Sequence, residues 1–287
     1  MQQYEFTQQH MGTSFRLVFY AKDSTMAYHA ADQAFTRIAY LNQLLSDYLA
    51  DSEISRLSNK AGNGSATPVS DELWQVLNFA QLIAEASGGA FDVSIGALTK
   101  LWRKAFRQAT FPDEKEIDQA KTTVGYQYIT LYPAIQSVAL TKEGMRLDLG
   151  GIAKGYAVDE AMKALAQQGI THALVDGGGD LSLKSDPTIG QKWKIRIENG
   201  KVYELANCAI ATSGNQYKFL ENKGKRYSHL IDPRTGMGVT HQRQITVIAD
   251  NCMNADALAS ACSILSSVKA KQLARKMDAK LYILTKK

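Results

Sequence analysis

The sequence predicts an α+β fold. Short apolar segments of strand-like composition follow one another in runs, long amphipathic helices interrupt them at irregular intervals, and the regular strand-helix alternation of a parallel α/β sheet is missing. Phe15 to Ala21 is the first strand, because aromatic and β-branched residues dominate it and Gly12 and Lys22-Asp23 bound it. From Ser24 to Leu45, Ala30, Ala34, Ile38, Leu41 and Leu45 recur at three- and four-residue spacing, which predicts one long helix with a continuous apolar face. A loop through Ser46, Asp47 and Tyr48 follows. Asp71 to Ser87 makes a second amphipathic helix, entered from Ser70 and stopped by Gly88-Gly89.

Between Tyr126 and Asp148 short apolar segments separated by "YPAIQS" and "TKEG" predict a meander of strands. The stretch "DLGGIAKGYAVDEA", from Asp148 to Ala161, then turns into a helix over roughly Ile152 to Gln168. Ala173 to Val175, Leu181 to Lys184, Lys192 to Ile197, Val202 to Leu205 and Ile245 to Ala249 are strand-like, punctuated by "DGGGD", "ENGK" and "DPRTG". Asn254 to Leu265 is helical, and Lys280 to Leu284 closes the chain as a strand.

A length of 287 residues would by itself suggest two domains. The chain shows neither a linker nor a fixed-period repeat, and its motifs run from residue 11 to residue 260, so one site assembled from the whole chain is the simpler expectation. With 45% hydrophobic and 21% charged residues the composition is that of an ordinary globular protein. The net charge of +5 is scattered, without runs of like charge or aromatic-basic interleaving, which disfavours nucleic acid as a ligand. Cys208, Cys252 and Cys262 lack C-x-x-C spacing and sit among apolar residues, as buried thiols do. No signal peptide is visible near Met1, and no segment approaches the ~20 apolar residues that span a bilayer.

In "DLGGIAKGYAVD", backbone amides at a helix start, glycines and Lys154 suit an anion such as phosphate. An ordinary strand-to-helix turn with a surface lysine uses the same residues. A P-loop is excluded, because Lys154 precedes Gly155 and no hydroxyl follows. Asp148 would repel a phosphate unless a metal lies between them or it binds another part of the ligand; as a turn or capping residue it would do neither. In "NADALASAC", Asp256 and Ser260 stand four apart, hence on one helix face, and offer hard oxygen donors suited to magnesium. An acid near a helix start with an incidental serine has the same spacing. His229, in "YSHLIDPRTG", is a candidate proton acceptor. Ser213 in "ATSGN" lacks a nucleophile elbow, and "VDGGGDL" lacks dinucleotide-fold spacing. Asp92 interrupts an apolar segment in "SGGAFDVSIGALTKLW" and needs a partner if buried. Met11 in "MGT" and Tyr48 in "SDYLADSEISRLS" could flank a planar ring or simply pack in the core.

Taken in order, "MGT", "SDYLADSEISRLS", "GGAFDVSIGALTKLW", "DLGGIAKGYAVD", "VDGGGDL", "ATSGN", "SHLIDPRTG" and "ADALASA" closely resemble the ApbE family, the FAD:protein FMN transferases, across Met11 to Ser260. The resemblance implies an α+β, T-fold-related domain over residues 1–287, with mixed or antiparallel sheets and flanking helices. It also implies magnesium-dependent transfer of the FMN moiety of FAD to a threonine or serine hydroxyl of an acceptor protein, with release of AMP. A magnesium-dependent FAD pyrophosphatase and a non-catalytic flavin-binding protein are the alternatives.

By position, the family's metal ligands fall on Asp256, Ser260 and the carbonyl of Gly151. The family usually has threonine where Ser260 stands; serine offers the same hydroxyl on a freer rotamer. FAD contacts fall on Met11, Tyr48, Ala90, Phe91, Asp92, Asp148, Lys154 and Ile231, and His229 matches the base that deprotonates the acceptor hydroxyl. Family acceptors carry a motif close to D-G-x-[ST]-G-A-[ST] and are subunits of membrane redox complexes, which implies a periplasmic or cell-envelope location. "DPRTGMG" from Asp232 lacks the first glycine and the alanine, so self-flavinylation is not expected.

Overall fold

The structure is a computed structural model that describes residues 1–197, 200–214 and 219–285. Its frame is a seven-stranded sheet in the order Gln2–His10, Thr13–Ala21, Ala173–Gly177, Leu181–Lys184, Cys208–Gly214, Arg243–Ala249, Lys280–Thr285. Every neighbouring pair in it is antiparallel. Described helices are α1 (Ser24–Leu45), α2 (Glu53–Ser58), α3 (Asp71–Ser87), α4 (Gly96–Gln108), α5 (Glu114–Lys121), α6 (Ala153–Gln167), α7 (Cys252–Ile264) and α8 (Ser267–Lys276).

The sheet sorts its side chains by the two-residue period of a strand. Phe15, Leu17 and Phe19, with Ala209, Ala211, Ile245 and Val247, face the main core beneath α1, α6 and α7. The residues between them, Val18, Ile210 and Ile248, point to the opposite face, where the hairpin Trp193–Arg196 and Val202–Leu205 covers them. A third cluster of Leu98, Trp102, Ile117 and Ile231 joins α4 and α5 to the segment after His229, and Trp102 Nε1 donates to the Gly236 carbonyl at 2.9 Å.

Helices α1 and α3 have the predicted bounds. Asp23 caps α1 by accepting from Met26 N at 2.8 Å, Ser70 caps α3 by accepting from Leu73 N at 3.2 Å, and Gly88 ends α3 in the left-handed region at φ 61°. The expected meander is smaller than foreseen. Ile129–Tyr132 and Ser137–Leu140 pair around a single 3₁₀ turn and are joined by the two residues Thr67–Pro68, because Pro133 and the left-handed Gln136 break the extended run. Strands Gln2–His10 and Cys208–Gly214, and helices α2, α4, α5 and α8, were not foreseen. Cys208 is half-buried rather than buried, since it opens its strand at the sheet's margin; Cys252 and Cys262 are buried, and all three are free thiols. Among the described residues no helix is long and apolar enough to cross a membrane.

Candidate functional site

Where α4, α6 and α7 meet the ends of the central strands, they enclose an open cavity of about 490 Å³. The turn Asp148–Ile152 leads into it. Asp148 N donates to the Val93 carbonyl at 2.8 Å, and its Oδ1 accepts from Gly150 N at 2.7 Å, so the carboxylate folds the turn around itself. The amides of Ile152 and Ala153 both return to the Leu149 carbonyl, at 3.0 and 2.8 Å. The amide of Gly155 donates to Asp256 Oδ2 at 3.1 Å. The helix start that looked ready to cradle phosphate has therefore committed much of its backbone to protein partners.

Gly155 has a steric purpose as well. A Cβ there would lie 2.3 Å from the Cys252 carbonyl oxygen and 2.8 Å from Asp256 Cβ, so α6 and α7 touch backbone to backbone. Asp159, one turn further along α6, accepts from Cys252 N and Met253 N at 2.8 and 2.9 Å, and anchors the start of α7. This junction presents Asp256 and Ser260 to the cavity on one face of α7. Gly151 approaches that face closely enough that a Cβ on it would sit 2.8 Å from Ser260 Oγ.

Lys154 is not the free cation its sequence suggested. Its Nζ is ion-paired with Asp180, which comes from the turn between the strands Ala173–Gly177 and Leu181–Lys184. Burial pulls the lysine pKa down, but Asp256 and Asp180 outweigh it and raise the net value. Burial and the charge of Asp256 push Asp180 up to about 7 against the opposing lysine. Asp256 is 6% exposed, and burial raises it too, against Lys154 and the Gly155 amide. Two carboxylates thus share one ammonium.

That arrangement is a direct test of whether a divalent cation fits. A phosphate approaching this group would meet a lysine whose charge the two carboxyl groups already offset, whereas a magnesium ion on Asp256, the Ser260 hydroxyl and the Gly151 carbonyl would have the hard oxygen donors it requires and would make the local field positive. The donor set fits the ion. Among the described residues no cluster of three or more His, Cys, Asp or Glu side chains forms a metal site, so a cation here would rely on one carboxylate with hydroxyl and carbonyl oxygens.

On the far wall, Asp92 has found the partners it needed. Its Oδ1 accepts from Ser94 N and Oγ at 2.8 and 2.6 Å, and its Oδ2 accepts from Tyr126 N at 2.8 Å; burial still raises its pKa against those bonds. Arg103 of α4 pairs with Asp47 and with Asp148, the latter at 2.8 Å, while its guanidinium covers one face of the Tyr48 ring at 4.2 Å. Tyr48 itself is 75% exposed, which leaves its other face open. Phe91, Ala90 and Ile231 supply buried apolar wall, and exposed His229 stands at the rim beside Leu230 and Pro233.

Eleven of the twelve residues nominated from the sequence line this one cavity. Met11 does not: it is half-buried at the turn between the first two strands, with φ 49°, and packs against the main core. Sequence reasoning missed Arg103 and Asp180, and passed over Thr212 and Ser213, which also line the cavity; Asn215 of "ATSGN" lies outside the described residues. The glycine-rich "VDGGGD" held a signal for Asp180, an acid beside a strand turn, but nothing local pointed to Lys154 as its partner.

The family profile described as "ApbE family" matches residues 11–284. A FAD:protein FMN transferase of Treponema pallidum is 32% identical, over 92% of this chain and 79% of the relative; one of Escherichia coli K12 is 30% identical, over 96% and 82%. Among solved structures, the flavin transferase ApbE from Vibrio cholerae superposes with a TM-score of 0.88 at 27% identity, covering 100% of this chain and 94% of its own. The apo form of Pseudomonas stutzeri flavinyl transferase ApbE gives 0.88 at 26%, covering 100% and 92%.

Proposed function

Because the chain belongs to the ApbE family, we propose that it transfers the FMN moiety of FAD to a threonine or serine hydroxyl of an acceptor protein and releases AMP. The observation that carries this reading is the convergence of residues as distant in sequence as Tyr48 and Ser260 on one cavity. Phosphoryl transfer asks a protein for positioning and for neutralisation of charge more than for covalent chemistry, and this cavity offers both.

In this reading the open face of Tyr48 stacks against a planar ring of FAD, with Phe91, Ala90 and Ile231 as the apolar wall. Asp148 and Asp92 keep the surrounding loops in shape through the bonds described above, and contact FAD with what hydrogen-bonding capacity remains. Lys154, released in part from Asp180, interacts with the nucleotide phosphates. Magnesium, held by Asp256, Ser260 and the Gly151 carbonyl, would supply charge neutralisation at the phosphate oxygens. His229 takes the proton of the acceptor hydroxyl, which is a poor nucleophile until that proton has somewhere to go. Its place on the rim suits a substrate that arrives from outside.

Family resemblance supports an acceptor that is a flavoprotein subunit of a membrane redox complex, bearing a D-G-x-[ST]-G-A-[ST] motif, and a reaction in the periplasm or cell envelope. Incubation with FAD, magnesium and a motif-bearing acceptor domain, followed by intact-mass measurement, tests the proposal. An FMN-sized adduct is expected together with AMP. Rapid AMP release without adduct would make the protein a pyrophosphatase, and tight FAD binding without cleavage would make it a flavin carrier.

A further inference from the structure

Helix α4 turns two adjacent stripes away from the core, with different fates. One stripe, Thr99, Arg103 and Phe106, lines the cavity, and Arg103 is held there by Asp47 and Asp148. The adjacent stripe, Lys100, Lys104 and Arg107, is exposed and follows helical spacing, so three cations stand in a row along the cavity's outer margin. Neighbouring α5 carries Glu114, Glu116 and Asp118, yet among the described residues no ion pair joins any carboxylate to Lys100, Lys104 or Arg107. The row adjoins the cavity, since Thr99, Arg103 and Phe106 on the neighbouring stripe of the same helix line it. The hairpin Phe219–Asn222 and Lys225–Ser228 packs beside α4 through Tyr227 and Trp102, exposes Lys225 and leads directly into His229, while its Lys223 shares a separate cleft with Glu114 and Asp118 of α5.

Resting on the transferase reading above, we propose that this basic margin is the docking surface for the acceptor protein and that it recognises an acidic segment beside the modified hydroxyl. The hydroxyl must reach the site past His229, so the chain that carries it has to lie across the cavity mouth, beside the row of cations on α4. Like charges this close are unfavourable in the free protein, and an acidic partner relieves that. A lipid surface fits less well. Membrane-surface helices turn an apolar face outward to enter the bilayer, whereas Leu98, Trp102 and Ala105 of α4 are buried inside the protein.

The test uses the full chain and two synthetic peptides that share the D-G-x-[ST]-G-A-[ST] motif, one flanked by glutamates and one by glutamines. The double variant Lys100→Glu/Lys104→Glu alters neither the cavity lining nor the core. Binding is read by fluorescence anisotropy and transfer by intact mass. With the wild type, the glutamate peptide is expected to bind about tenfold more tightly than the glutamine peptide, and to lose that advantage between about 0.05 M and about 0.3 M salt. In the double variant the preference disappears or reverses while FAD affinity stays unchanged, and Lys100→Gln/Lys104→Gln falls between.

Equal affinity for both peptides, or an undiminished preference in the double variant, overturns the proposal. So does sedimentation of the wild type, but not the variant, with phosphatidylglycerol vesicles, which would assign the margin to a membrane. Because anisotropy needs no chemistry, preference without adduct leaves the docking surface standing and refutes only the transferase reading.

Discussion

Replacing Gly155 with alanine separates the stability of this protein from the geometry of its site. The new Cβ would lie 2.3 Å from the Cys252 carbonyl oxygen, 2.7 Å from its carbonyl carbon and 2.8 Å from Asp256 Cβ, against 3.4 Å for an ordinary contact. None of those atoms can swing aside, so α6 and α7 must move apart by roughly 1 Å. Overpacking of this kind costs about 1–3 kcal/mol, and the better helix propensity of alanine returns about 1 kcal/mol. The net loss is then about 0–2 kcal/mol, or a fall in Tm of a few degrees. Catalysis suffers more. Asp256 and Ser260 ride on α7 while Gly151 and Lys154 sit at the start of α6, and a displacement of about 1 Å between reacting parts can cost about 10²-fold in rate. Differential scanning fluorimetry together with FAD-dependent AMP release reads both quantities on one sample. Activity within about twofold of wild type would refute the argument that this close approach sets the site.

Further outcomes follow from the same geometry. Asp256→Ala is expected to abolish turnover while FAD binding is largely kept, since the nucleotide's other contacts remain; calorimetric FAD titration and AMP release at several magnesium concentrations check it, and near-normal turnover removes the metal assignment. Arg103→Met leaves Asp47 and Asp148 facing one another and uncovers the Tyr48 ring, which is expected to lower stability by about 2 kcal/mol, the part-exposed Arg103 and Asp47 being screened, and to weaken FAD binding. Arg103→Lys should recover only part of either, and unchanged melting and FAD titration curves in Arg103→Met would show that the bridge is idle. Burial raises Asp159 to about 6 against the two amides it accepts, whereas an unfolded aspartate titrates near ~3.9. Between those values the folded chain holds more protons, so stability falls as pH rises, by no more than about 3 kcal/mol. Asp159→Asn has no such proton, and denaturant melts from about pH 4 to about pH 7 should give it the flatter profile; equal slopes would count against the assignment.

The parts of the fold that were legible in the sequence are those specified locally. Helices α1 and α3 could be bounded to the residue because cap, apolar period and stop signal all lie within them. Strand Gln2–His10 escaped notice because an edge strand with one wet face needs little apolar content, and only Tyr4, Phe6 and His10 turn inward. Helix α4 was obscured by its own cations, which interrupt the apolar run that buries Leu98, Trp102 and Ala105. In the site, Asp256 and Ser260 could be paired from their spacing. Asp180 and Arg103 could not, because each is defined by a bond to a residue far away in the chain, Lys154 and Asp148. The same blindness made Lys154 look like an unattached charge.

The pairing of Thr13–Ala21 with Ala173–Gly177 also has a temporal consequence. At a ribosome's pace of about 5–20 residues per second, the N-terminal hairpin waits roughly 8 to 30 s for its neighbour to be synthesised. The helices in between can form meanwhile, since their contacts are short in sequence, but the sheet cannot close across that gap until the second half of the chain has emerged. Asp256 and Ser260 come later still. FAD therefore finds no complete site on a nascent chain: it can stabilise the finished protein, but it cannot guide its early folding.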